Sequence, residues 1–83
     1  MKASSRFRKI REFTEKEFWG RYRNHDVHIT REGRESFYIT VTNDGGYYSY
    51  DGYWPRSSES FLEPTMEAAI EQALIGSQLL KVK

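Results

Sequence analysis

The chain has 83 residues, room for one small domain and no second core. Hydrophobic residues make up 37% and charged residues 30%, yet aromatics reach 16%, which excludes a disordered charged tail. Thirteen Lys+Arg against twelve Asp+Glu give a net charge of +1 that names no partner, and the lack of cysteine excludes a disulfide framework, Cys-ligated zinc and a thiol nucleophile.

Residues 1–12 read as a basic arm, with Arg6, Arg8, Lys9 and Arg11 around Phe7 and Ile10. Thr14 and Glu17 have the spacing of a capping box, and Phe13 and Phe18 that of a hydrophobic staple, so a short helix is expected over Glu15–Trp19 with Gly20 as its stop. Strand periodicity follows: Val27 and Ile29 point one way, Asp26, His28 and Thr30 the other. Glu32-Gly33-Arg34-Glu35 reads as a reverse turn. Phe37, Ile39 and Val41 then alternate with Tyr38, Thr40 and Thr42 in a half-buried strand.

Asn43-Asp44-Gly45-Gly46 is a hairpin turn, because tight hairpins need positive φ and these residues supply it. A third strand spans Tyr47–Trp54 and is closed by Pro55. Residues 55–64 read as a polar loop from which Phe61 and Leu62 reach toward the core. Thr65 is a good N-cap for a second helix, in which Met66, Ala69, Ile70, Ala73 and Leu74 form one stripe facing the sheet and Gly76 marks the end. Leu79, Leu80 and Val82 fit either a last helical turn or a short edge strand. The expected fold is an α+β domain over residues 13–83: a three-stranded antiparallel sheet with a short N-terminal helix and a C-terminal helix packed on one face, in the order α-β-β-β-α.

A domain without disulfides suits a reducing cytoplasm. No apolar signal region follows the basic start, and no stretch of roughly 20 apolar residues exists to cross a membrane, so a cytoplasmic protein without membrane association is expected. Charge is uneven: residues 1–34 carry ten Lys/Arg and five Asp/Glu, residues 35–83 three and seven. Such an asymmetry either steers a charged partner to one end or is neutralised across the fold.

Catalytic signals are weak. Asp26 and His28 share a strand face and are the weak candidates for a base pair or two metal ligands, but no further His or Cys supplies a third ligand. The serines lack a nucleophile-elbow setting, and the glycines follow hairpin needs with no phosphate-binding G-K-[ST]. A non-enzyme without a cofactor or metal is expected.

The segment Tyr47-Tyr48-Ser49-Tyr50-Asp51-Gly52-Tyr53-Trp54 holds five aromatics in eight residues, more than one strand face buries. Simple alternation puts Tyr48, Tyr50 and Trp54 on one side, Tyr47 and Tyr53 on the other. Tyr and Trp are enriched at binding hot spots, so Tyr48, Tyr50 and Trp54, with Tyr53 at the rim, are the candidate contact with a protein partner. The alternative is RNA or DNA, using these rings for stacking and the cations Arg6, Arg8, Lys9, Arg11, Arg21 and Arg23 for phosphates. The α-β-β-β-α order resembles double-stranded-RNA-binding domains. However, Thr65–Glu71 carries two glutamates where those domains start their last helix on basic residues, and the tyrosine strand carries no cation. A homodimer through an unpaired edge strand or the residue 79–83 tail is also open.

Two motifs resemble the N-terminal domain of HicB-type antitoxins: Y-I-T-V-T-N-D-G-G-Y over 38–47, similar to that family's strand, turn and next strand, and T-M-E-A-A-I-E-Q-A-L over 65–74, similar to its helix start. The likeness covers less than half the chain and implies a sheet-plus-helix module that binds a protein. Where the family has a Pro-x-x-Pro-Gly segment this chain reads Y-D-G-Y-W-P-R-S-S-E-S, and a downstream DNA-binding domain is not expected. The expectation is a small binding module that acts as a regulator or inhibitor, and its small size and compactness alone suggest the kind carried by phages and mobile elements.

Overall fold

Thr14 forms the local bonds that its spacing promises, but around a turn instead of a helix. Its hydroxyl accepts from the backbone N–H of Lys16 and Glu17 (3.1 and 3.0 Å), and its own N–H donates to the Glu17 carbonyl (2.8 Å). The chain reverses there, joining strand β1 (Lys9–Phe13) to strand β2 (Glu17–Tyr22) as an antiparallel pair. Phe13 and Phe18 meet edge to face, 5.4 Å between centroids, as cross-strand neighbours. A five-residue helix is too short to nucleate alone, whereas Phe18, Gly20 and Tyr22 alternate with Glu17, Trp19 and Arg21 and can bury one face.

The computed structural model describes residues 2–34, 36–55 and 65–80. Three further strands follow, β3 (His25–Gly33), β4 (Ser36–Asn43) and β5 (Tyr48–Trp54), then helix α1 (Met66–Gly76). The strands lie in the order β1-β2-β3-β4-β5, all antiparallel. The expected three-stranded sheet with a short N-terminal helix is therefore corrected to five strands, a 3-10 turn at Ala3–Arg6 and one C-terminal helix. The additional strands come from the basic stretch, which supplies β1, and from the residues read as a helix, which supply β2. The likeness in element order to double-stranded-RNA-binding domains falls with the strand count.

Arg23 and Asn24 both have positive φ (49° and 63°), forming a two-residue connection between β2 and β3 whose twist suits a hairpin. Between β4 and β5 the Asn43 side chain accepts from the N–H of Gly45 and Tyr47 (2.9 and 3.0 Å), and Gly46 takes φ 87°. This is the hairpin read from Asn-Asp-Gly-Gly.

One face of the sheet carries Phe18, Val27, Ile29, Phe37, Ile39 and Val41, all fully buried against Met66, Ala69, Ile70, Ala73 and Leu74 of α1. Thr65 caps that helix by accepting from Ala68 N–H (3.2 Å). Phe7 joins the same core, its ring 4.9 Å from that of Phe18 and lying against Gly20, where any Cβ would come within 2.9 Å of it. The 3-10 turn is tied to α1 through Ser4, whose N–H and hydroxyl both donate to the Glu67 carboxylate. Beyond α1, residues 77–80 turn back so that Leu79 and Leu80 N–H donate to the Leu74 carbonyl, neither a further helical turn nor a strand. Of the expected loop over 55–64, residues 56–64, Phe61 and Leu62 among them, lie outside the described residues, as do residues 81–83. Among the described residues no helix is long and apolar enough to cross a membrane.

Candidate functional site

The sheet has a second face, opposite α1, and register places its residues. Lys9, Arg21, Asp26 and Thr42 form one row; Glu12, Trp19, His28, Thr40 and Asp51 the next; Glu17, Thr30, Tyr38 and Tyr53 the third. No described element packs on this outer face.

The tyrosine strand meets it out of simple alternation. Val41 pairs with Tyr50 while Thr42 pairs with Tyr48, so Ser49 is an extra residue, a β-bulge, and the strand changes phase there. The bulge divides the expected trio of Tyr48, Tyr50 and Trp54. Tyr50 and Trp54 face α1: Trp54 is 9% exposed and lies beside Phe37, and the Tyr50 ring sits against Gly76. Tyr48 instead joins Tyr53 on the outer face, at 63% and 61% exposure. Tyr47, in the turn, is exposed as well.

Two aromatic clusters flank the threonines at the centre of this face. On the β5 side Tyr38 and Tyr53 meet with centroids 4.9 Å apart, and the Tyr38 hydroxyl donates to Asp51. That bond, and secondarily desolvation, raises the Tyr38 phenol above the ordinary tyrosine value. On the β1 side the Arg11 guanidinium lies 5.0 Å from the centre of the Trp19 ring, and Trp19 packs on His28 at 5.3 Å. His28 Nε2 donates to Glu17 Oε2 (2.7 Å).

Asp26 and His28 share the outer face as expected, but each is engaged with another residue. Arg21 bridges Asp26 (2.9 Å) and Asp44 (2.7 Å), and these bonds, Asp44 first, raise its guanidinium further above its ordinary value. Among the described residues no group of three His, Cys, Asp or Glu could hold a metal ion.

The six cations do not form one surface. Arg6 lies by α1 with Lys2 and Glu71, Arg23 is over the Tyr22 ring in the β2–β3 turn, and Arg8 is exposed before β1. Lys9, Arg11 and Arg21 reach the outer face, where Arg21 is neutralised by its two carboxylates.

Trp19, Tyr38 and Asp51 were not among the residues singled out from sequence. The alternation of Glu17-Phe18-Trp19-Gly20-Arg21-Tyr22 carries the signal for Trp19, and the outward set of the Phe37–Thr42 strand already contains Tyr38. Compared with models of known families, with curated proteins and with solved structures, the chain matches none.

Proposed function

We propose that the chain is a non-catalytic recognition module that binds a protein partner through the outer face of its sheet and acts by occupying that partner, as a regulator or inhibitor does. The observation that carries this reading is the set of exposed or half-exposed rings, Trp19, Tyr38, Tyr48 and Tyr53, held on a five-stranded support with no described element above them. Large, stiff, amphipathic rings on a rigid support lose little entropy when they are covered. Mixed charge around them, with Glu17, Asp26 and Asp51 against Lys9, Arg11 and Arg21, suits a protein surface better than a phosphate backbone.

The test compares wild type with the double variant Tyr48→Thr/Tyr53→Thr, which keeps strand-forming residues while removing both rings. Each is used as bait in crosslinking capture, and the recovered protein is then purified and re-bound by titration calorimetry. The expected result is one partner whose affinity falls about tenfold or more in the variant, with circular dichroism and melting temperature nearly unchanged. Trp54→Ala, by contrast, is expected to lose the fold. Equal affinity for both baits, or unfolding of the Tyr48→Thr/Tyr53→Thr variant, would overturn the reading.

A further inference from the structure

We infer that Tyr38, Asp51 and Tyr53 receive a cationic side chain, arginine or lysine, from the bound protein. The inference rests on the recognition reading above and names the chemistry of the contact.

It starts from a difference among the carboxylates near this face. Glu17 is matched by His28, while Asp26 and Asp44 are both matched by Arg21. Glu12 and Asp51 have no ion-pair partner among the described residues, but Glu12 lies on β1 with the cations Lys9 and Arg11, whereas Asp51 stands beside Tyr38 and Tyr53 and takes the Tyr38 hydroxyl. A carboxylate offers about four acceptor positions, so most of its capacity is open. The strand it occupies carries no Lys or Arg, and the described cations of the outer face lie on β1 and β2.

Around Asp51 the rings complete the chemistry. Tyr38 and Tyr53 are tilted by 57° at 4.9 Å, and Tyr53 is 61% exposed, leaving ring surface free beside the carboxylate. Aromatic faces carry negative charge density, and together with one carboxylate they favour a single flat or compact cation. The chain uses the same pairing internally, with Arg11 over Trp19, Arg23 over Tyr22 and Arg31 over Phe37. One carboxylate and neutral phenols make a poor metal cage. A phosphate would meet repulsion from Asp51.

The experiment titrates the full chain with N-acetyl-arginine amide and, in parallel, with N-acetyl-citrulline amide, which keeps the shape and lacks the charge, while NMR follows the shifts. The expected result is saturable shifts centred on Tyr38, Asp51 and Tyr53, with arginine binding about tenfold more tightly than citrulline. Asp51→Asn, a near-isosteric change at an exposed position, is expected to remove that preference. Equal binding of the two probes, or shifts centred on Trp19 instead, would overturn the inference. So would an oligouridine probe that moves the same resonances more strongly than arginine, or concentration-dependent shifts without any probe, which would assign the cation to a second copy. If the captured partner binds Asp51→Asn as tightly as wild type yet is lost by Tyr48→Thr/Tyr53→Thr, only the cation contact fails. If neither variant affects its binding, the recognition reading itself fails.

Discussion

Tyr38 offers a direct reading of the outer face, because its hydroxyl is committed to Asp51 while its ring is committed to Tyr53. With its phenol raised above the ordinary tyrosine value of about 10, the group stays protonated to higher pH in the folded chain than in the unfolded one. Its contribution to stability is therefore fully present below the ordinary tyrosine pKa and is lost as pH rises through the folded value. An ultraviolet titration of the phenolate band is expected to show a tyrosine step above the ordinary tyrosine range, and Asp51→Asn to lower that step. An unchanged step in that variant would deny Asp51 its part. Trp54 and Tyr53 make the complementary point, since neighbours in sequence have opposite fates: one is sealed beneath α1 and the other stands in solvent.

Among the elements, α1 sits so close to β5 that Gly76 is a matter of space. A Cβ there would lie 2.0 Å from Cε2 of Tyr50, so the ring must move. Overpacking of this kind costs about 1–3 kcal/mol, and the gain in helix propensity from Gly to Ala returns about 1 kcal/mol at most. Gly76→Ala is thus expected to lower the melting temperature, and combining it with Tyr50→Thr to restore part of the loss. A rise in melting temperature for the single variant would show that the ring yields freely. Much at this scale was legible in the sequence: alternation gave the inward set of Val27, Ile29, Phe37, Ile39 and Val41, and helical spacing gave the stripe of α1. Two features were not. The Thr14–Glu17 signature describes local bonds that a turn satisfies as well as a helix, and only the burial of Phe18 beside Ile29 of β3 and the Phe7 ring decides between them. The Ser49 bulge has no residue requirement, so alternation carried past it grouped Tyr50 and Trp54 with Tyr48 on one side, whereas the sheet turns those two toward α1 and leaves Tyr48 on the outer face.

For the molecule as a whole, the stretch before β1 closes the core. Phe7 is 7% exposed and touches both Phe18 and Tyr22. Phe7→Ala is expected to cost about 3–5 kcal/mol, a large share of the roughly 5–15 kcal/mol that holds a small domain together. Urea denaturation measures this, and a loss below about 1 kcal/mol would mark the segment as peripheral.

The neighbour-by-neighbour strand order has a kinetic side. Each hairpin joins stretches that follow one another directly, so the ladder can zip outward with little loop entropy to overcome. Among the hydrogen bonds of the described residues the longest closure is that between Ser4 and Glu67, 63 positions apart, which brings the 3-10 turn onto the helix. Without residues 66–76 the apolar underside of the ribbon would stand bare, so a chain that pairs its strands before the helix docks is at its stickiest just before it is finished.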